Sequence, residues 1–253
     1  MGVIVGIAIA LIMILGGQVI EGGHPMGLLA LPSFMIVIGG TVGAVVVQYP
    51  FPTVVGALKA CAACFKKPEI DANKLVDEIV DYANRARRDG ILALEKVSES
   101  ASDPFLRKAL MMAVDGVDSQ TLRETLEVAI SEEEHHGEDS GKVMEAFGGY
   151  APTIGIIGAV LGLIHVMSNL SDINAVGKGI AGAFVATVYG VAFANILCLP
   201  MGTRIKGMVR QKALIRELTL TGVLAIQAGL NPKLVRERLS QFLGDHGGHE
   251  KKK

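Results

Sequence analysis

Four runs in this 253-residue sequence contain no Asp, Glu, Lys or Arg, and they constrain the fold more than any other feature. They are residues 1–20, 22–58, 146–171 and 179–203. Together they hold 108 residues, so all 49 charged side chains fall among the other 145. The sequence therefore predicts a membrane protein with separate charge-rich segments. This distribution disfavours a secreted disulfide scaffold, a disordered chain and a nucleic-acid-binding protein.

The charge-free runs predict four membrane-spanning helices, because a spanning helix needs about 20 apolar residues. The predicted spans are Val3–Ile20, Pro32–Tyr49, Tyr150–Leu170 and Gly179–Met201. The first two are separated by a Gly-Gly-His-Pro turn sequence at residues 22–25. The fold class is thus all-α integral membrane, with the four helices arranged as two hairpins.

The orientation of the spans follows from the placement of Lys and Arg. Of the 24 basic residues, 12 lie in residues 59–145 and 11 follow residue 203, whereas the opposite loops contain only Lys178. Because basic residues concentrate in cytoplasmic loops, both termini and the central segment are predicted to be cytoplasmic.

The charged segments are predicted to be helical, since no alternating strand pattern is present. Helix starts are expected at Asp71, at Asp103-Pro104, at Asp118 or Ser119, and at Asn231-Pro232. The last residues, 246–253, are expected to be disordered.

This division gives four segments. They are a first transmembrane hairpin (1–50), a cytoplasmic helical domain (51–145), a second hairpin lining an ion path (146–203), and C-terminal cytoplasmic helices with a tail (204–253).

Small residues recur on one face of the third and fourth spans, where they allow a close approach of another helix. These residues are Gly155, Gly158 and Gly162 in the third span and Gly182, Ala186, Gly190 and Ala194 in the fourth. Two interpretations remain open. The faces pack against each other within one subunit, or they form a wall around a partner helix or a neighbouring subunit.

The second hairpin also carries two prolines and few polar groups. Pro152 and Pro200 are expected at the ends of the third and fourth spans, as kinks, helix ends or the lining of a polar vestibule. Thr187 lies near the middle of the fourth span and Thr153 follows the first proline. No carboxylate or cation lies in any span, so an ion-conducting protein of this type needs a titrating group from a partner chain.

Residues 151–164, Ala-Pro-Thr-Ile-Gly-Ile-Ile-Gly-Ala-Val-Leu-Gly-Leu-Ile, resemble the third-span signature of the MotA/TolQ/ExbB proton-channel superfamily. Four spans and the long loop between the second and third favour its MotA/PomA branch. Residues 87–95 and 222–227 resemble the same branch, and Thr187 and Pro200 keep its thirteen-residue spacing. The resemblance covers nearly the whole chain.

The resemblance implies a flagellar motor stator subunit in the bacterial inner membrane, which generates torque for motility. In that family, five copies of this subunit surround two single-span MotB-type subunits. An Asp on each MotB-type helix carries the ion, and the cytoplasmic domains push the rotor protein FliG.

The resemblance also implies roles for individual residues. Arg87 and Glu95 match the rotor-facing charged pair, and Arg88 matches a neighbouring basic position of sodium-type members. Pro152 and Pro200 match prolines that couple ion movement to shape change, and Thr187 matches a threonine near the ion-carrying Asp.

The transported ion is predicted from a difference between this chain and sodium-type members of the family. Those members carry threonines where this chain has Ala159 and Ala186. Sodium needs oxygens to replace its hydration shell, so we expect proton coupling. No cofactor or metal is expected.

Three other interpretations are less consistent with the sequence. An ExbB/TolQ-type energiser of outer-membrane processes predicts three spans. A small-solute transporter predicts internal repeats and broken helices. An enzyme is disfavoured because Ser/His/Asp, metal-ligand and phosphate-loop constellations are missing from the sequence.

Overall fold

The computed structural model describes residues 2–66, 71–168, 170–171 and 173–243. Within these residues the chain is helical and contains no strand, which confirms the predicted fold class. The helices are α1 (Gly2–Ile20), α2 (Leu31–Gln48), α3 (Phe51–Ala63), α4 (Ala72–Asp89), α5 (Glu95–Ser98), α6 (Pro104–Val114), α7 (Ser119–Met167), α8 (Ile173–Gln227) and α9 (Pro232–Leu243). The predicted disordered tail, 246–253, lies outside the described residues.

Among the described residues, four helices are long and apolar enough to cross a membrane: α1, α2, α7 and α8. This confirms the number of predicted spans. The third span is not a separate helix, however, because α7 continues without a break for 49 residues. The fourth span likewise continues into the charged C-terminal region within α8, as the sequence predicts for residues 204–227.

The chain forms two compact units. The first comprises Met1–Lys67 and Gly137–Met208, and the second comprises Pro68–His136 and Val209–Lys253. Helix α3 belongs to the first unit, although the predicted segment 51–145 places it with the charged region. Its Val54 and Ala57 side chains are buried, so this short apolar helix packs as part of the membrane-spanning unit.

Aspartates begin three helices of the second unit, as the sequence predicts. The Asp71 Oδ1 accepts a hydrogen bond from the Asn73 N–H at 3.1 Å. The Asp103 Oδ1 accepts one from the Phe105 N–H at 3.1 Å. Asp118 does the same for α7. Each carboxylate satisfies backbone donors that have no partner inside the first helical turn.

The core of the second unit is formed by the apolar faces of its helices. Its largest fully buried side chains are Leu75, Ile79, Leu94, Leu106, Leu110, Leu122, Leu126, Leu218 and Leu239. Helices α4 and α8 approach closely at Gly222, where an added methyl carbon would lie 2.7 Å from Ile79 Cγ2. A glycine is needed there because a side chain would displace the buried Ile79.

Candidate functional site

Glycines bring the backbones of α7 and α8 into direct contact in the first unit. A methyl carbon added to Gly155 would lie 3.0 Å from the Ala186 carbonyl oxygen. One added to Gly162 would lie 3.2 Å from the Ala183 methyl carbon. The third and fourth spans therefore touch with no intervening side-chain layer, as expected for small residues at helix interfaces in membranes.

The closest approach involves Gly190 and the helix segment that carries Pro152. A methyl carbon on Gly190 would overlap the Ala151 carbonyl oxygen and would lie 3.1 Å from Pro152 Cα. One added to Gly158 would lie 2.9 Å from the Ala186 methyl carbon. These small-residue faces thus pack against each other inside this chain.

The predicted small-residue row of the fourth span does not act as one surface. Ala186, Gly190 and Ala194 are buried. Gly182 is half-buried, and an added methyl there would meet no atom within 4 Å. Its carbonyl oxygen accepts a hydrogen bond from Ser33 Oγ at 3.1 Å, which links the fourth span to α2.

Pro152 lies inside α7, although a helix end was one of the alternatives predicted at this position. A proline in a helix removes one backbone hydrogen bond and crowds the carbonyl four residues earlier, which here belongs to Gly148. The helix continues through this position because membrane helices tolerate proline when neighbouring helices pack against it. Gly190 provides such a contact. The expectation of a helix end was therefore wrong.

Pro200 also lies within a continuous helix, directly after a π-helical stretch at Phe193–Cys198. In this stretch the hydrogen bonds span five residues, and the Leu199 N–H donates to the Ala194 carbonyl. The wider turn accommodates a proline ring without ending the helix, because the carbonyls are shifted relative to an α-helix. Pro200 itself is exposed in the single chain.

Two of the three other residues assigned to the ion path have hydroxyls beside backbone carbonyls of their own helix. The Thr153 hydroxyl is exposed and donates to the Tyr150 carbonyl oxygen at 2.8 Å. The half-buried Thr187 hydroxyl lies 3.4 Å from the Ala183 carbonyl oxygen, which is a weak interaction. Ala159 is half-buried.

The predicted rotor-facing residues flank a turn at Gly90 in the second unit. Arg87 lies in the last turn of α4 and Glu95 begins α5, and both are exposed. Gly90 has φ +85°, a left-handed conformation that favours glycine. Arg88 donates to both carboxylate oxygens of Asp89, at 2.8–3.0 Å, and this hydrogen bonding raises the pKa of Arg88 and lowers the pKa of Asp89. Arg88 is thus locally paired, and Arg87 and Glu95 present opposite charges beside the turn.

Sequence reasoning missed two contacts of the first unit. The Tyr189 hydroxyl donates to the Leu28 carbonyl oxygen, and its ring packs edge-on against Phe34 with centroids 6.3 Å apart. Glu145 and Lys206 form an ion pair between α7 and α8. A tyrosine within an apolar span indicates a hydrogen-bonded partner, so the first contact could have been predicted. The second joins residues 61 positions apart, so no local pattern predicts it.

No group of three or more His, Cys, Asp or Glu side chains that could hold a metal occurs in the part of the chain that the structure describes. The apolar parts of the spans carry no charged side chain either. The close contact between α7 and α8 is therefore a packing contact between small residues of uncharged helix segments.

Two family models match most of this chain. Residues 97–218 match the MotA/TolQ/ExbB proton channel family, and residues 4–88 match the Motility protein A N-terminal model. The second match includes the predicted first hairpin. The chain belongs to the Motility protein A branch of the MotA/TolQ/ExbB proton channel family. This confirms the resemblance on which the predicted stator role rests.

Similarity to individual proteins extends over nearly the full length. Motility protein A of Treponema phagedenis is 34% identical, with 92% of this chain and 89% of that protein covered. The solved structure of C. jejuni MotAB matches with a TM-score of 0.92 at 30% identity, covering 99% of this chain and 96% of that one. The flagellar MotAB stator complex from Bacillus subtilis matches with a TM-score of 0.90 at 30% identity, covering 99% and 100%.

Proposed function

We propose that this chain is the MotA-type subunit of a flagellar stator, a motor subunit without enzymatic activity that couples ion flow to torque. The observation that carries the proposal is its structural similarity to C. jejuni MotAB over 99% of the chain. The uncharged spans agree with this function, because they leave the titrating group to a partner chain.

The proposed assembly places five copies of this chain around two MotB-type subunits in the bacterial inner membrane, with both termini in the cytoplasm. An Asp on each MotB-type helix carries the ion past the third and fourth spans. Arg87 and Glu95 contact the rotor protein FliG. Both are exposed in the second unit, which supports a reversible charged contact of modest strength, since exposed ion pairs contribute about 0–1 kcal/mol.

The transported ion is proposed to be the proton. Ala159 and Ala186 offer no side-chain oxygen, and the Thr187 hydroxyl lies beside its own helix carbonyl. A sodium ion needs several oxygens to replace its hydration shell, whereas a proton needs a titratable carboxylate and a path of water.

The function is tested by restoring motility. A strain that lacks its own stator genes receives this chain together with a MotB-type subunit from the same organism, and we expect swimming to return. Replacement of the intramembrane Asp of the MotB-type subunit by Asn is the matched control, which should remain non-motile. Assembly of the pair in the membrane without any rotation would contradict the proposal.

The ion is tested separately in the same strain. Swimming speed is measured with and without sodium at constant proton-motive force, and we expect the same speed in both media. A proton ionophore should stop swimming in either medium. Loss of swimming on sodium removal alone would overturn proton coupling and leave the stator function intact.

The orientation is tested with a single cysteine beside His24 in a chain whose native cysteines are replaced. A membrane-impermeant maleimide applied to whole cells should label this position. Labelling only after the cells are opened would contradict the proposed orientation.

A further inference from the structure

We propose that the Glu145–Lys206 ion pair keeps α7 and α8 joined beside their apolar spans throughout the ion cycle, so that the two spans move as one body. The inference rests on the proposed function, since it concerns how ion movement produces torque. Glu145 and Lys206 are thus positioning residues: they do not contact the ion, and they determine how the helices that line its path transmit motion.

The pair has the geometry of a strong contact. Lys206 Nζ lies 2.7 Å from Glu145 Oε1 and 2.6 Å from Oε2, so the ammonium group donates to both carboxylate oxygens. The Glu145 side chain is 39% exposed and that of Lys206 is 24% exposed. Because water is partly excluded from the pair, its electrostatic attraction is screened less than that of a surface ion pair.

A direct backbone contact lies beside the ion pair. A methyl carbon on Gly141 would lie 3.1 Å from the Gly202 carbonyl oxygen, and one on Gly202 would lie 3.0 Å from the Gly141 carbonyl oxygen. The side chains of the ion pair itself lie against these two glycines, since Lys206 Cγ would be 2.7 Å from the Gly141 methyl carbon and Glu145 Cγ 3.1 Å from that of Gly202. Sliding one helix by a turn, about 5.4 Å, would break both contacts of the ammonium group.

The position of the pair relative to the two prolines gives it a mechanical consequence. Glu145 precedes Pro152 by seven residues, and Lys206 follows Pro200 by six. The ion pair thus joins α7 and α8 on the same side of both prolines along the helices. When the bend at either proline changes, both helices move, because the ion pair holds them together. Neither α7 nor α8 then rotates independently of the other.

Charge reversal tests the pair. Glu145→Lys, Lys206→Glu and the double exchange are produced in the strain described above, with the MotB-type subunit. Torque per stator is measured from the speed steps of a bead attached to a flagellum, and assembled stators are counted with a fluorescent MotB-type fusion. We expect each single variant to lose most of its torque per stator at a near-normal stator number, and the double exchange to recover it. A merely structural defect would lower the stator number and not the torque of each stator.

A cross-link tests whether the contact stays closed. Glu145→Cys and Lys206→Cys are combined in a chain whose native cysteines are replaced by Ala, and a short bifunctional thiol reagent joins them. We expect the double-cysteine variant to have lost most of its torque before the reagent, because it lacks the ion pair, and to recover torque once the cross-link holds the two helices together. A cross-linked variant that still fails to generate torque would overturn the inference, because the pair would then have to open during the ion cycle.

The matched control is the ion pair between Lys142 and Asp139, one turn away on α7, with a distance of 2.9 Å. It lies within one helix, so Lys142→Asp with Asp139→Lys should leave torque unchanged. Unchanged torque in the Glu145 and Lys206 single variants, or a double exchange no better than the worse single variant, would overturn the inference. Failure of the unsubstituted chain to restore rotation would overturn the proposed function, and this inference with it.

Discussion

The guanidinium carbon of Arg216 lies 5.0 Å from the centroid of the Phe105 ring. The same guanidinium forms an ion pair with Glu133, and Lys212 reaches that carboxylate at 2.7 Å. The Arg216 side chain is only 18% exposed. One side chain of α8 thus contacts both α6 and α7 within the second unit, through its planar face and through its N–H groups.

Arg216→Lys is expected to destabilise the second unit by about 1 kcal/mol, because lysine cannot stack on the ring and donate in a planar fork at once. The measurement is the thermal unfolding midpoint of the full-length protein in detergent. Arg236→Lys is the matched control, since Arg236 pairs with Asp77 at 2.7 Å on the surface. Equal shifts in the two variants would show that the stacking contributes nothing.

Gly190→Ala is expected to separate α7 from α8, because the new methyl would overlap the Ala151 carbonyl oxygen. Overpacking of this kind costs about 1–3 kcal/mol. Gly182→Ala, on the same helix, meets no atom within 4 Å and should be tolerated. Motility and the thermal midpoint are measured for both variants. The predicted contact is refuted if Gly190→Ala behaves like Gly182→Ala.

Gly90→Ala is expected to destabilise the turn between α4 and α5 through its backbone alone. An added methyl has open space, but φ is +85°, and this conformation costs a non-glycine residue about 1–2 kcal/mol. Gly207→Ala, inside a helix with open space, should instead stabilise the chain by about 0.5–1 kcal/mol. Opposite shifts of the thermal midpoint are therefore expected, and shifts of the same sign would contradict the explanation.

Arg87→Glu and Glu95→Lys are expected to impair torque while leaving membrane assembly normal, since both side chains are exposed and outside the core. Arg123→Glu applies the same charge change to another exposed arginine of the second unit and should affect torque less. Tethered-cell rotation and stator counts separate the two effects. Unchanged rotation in both Arg87→Glu and Glu95→Lys would count against the rotor contact.

Asp118→Asn is expected to reduce the dependence of stability on acid pH. Hydrogen bonds from Thr121, through its side chain and backbone, lower the pKa of Asp118. The contribution of this carboxylate is therefore present above its pKa in the unfolded chain, about 4, and is lost as pH falls through the lower folded value. Thermal midpoints across pH 2–7 are compared with those of Asp115→Asn. An identical pH profile for wild type and Asp118→Asn would exclude the effect.

Much of the fold was predictable because two strong signals act locally. Placing a charged side chain inside a membrane costs so much free energy that spans contain almost none. The charge-free runs therefore predicted the four spans. Asp71 and Asp103 bond to backbone N–H groups two residues away, and such caps depend only on neighbouring positions. Arg87 and Glu95 were assigned to the rotor-facing surface through the family resemblance, and the structure places both on the surface of the chain.

The features of the fold and site that could not be predicted depend on contacts between residues far apart in the sequence. Glu145 is one of many carboxylates, and only the packed helices select Lys206 as its partner. The expectation of helix ends at Pro152 and Pro200 failed because Gly190 packs beside the first and a π-helical stretch precedes the second. The hydrogen-bond register of a helix is not visible in a single sequence, so neither compensation was predictable.

Helix α1 contains 19 residues and none of them is buried in this chain. Close packing within the subunit therefore restricts its amino acids less than those of the other three spans. Its composition instead determines how deeply the helix lies in the bilayer and which surface the subunit presents to its surroundings. Exchanges among Ile, Leu, Val and Met along α1 should leave the subunit's own fold intact, so their consequences would report directly on the environment outside it.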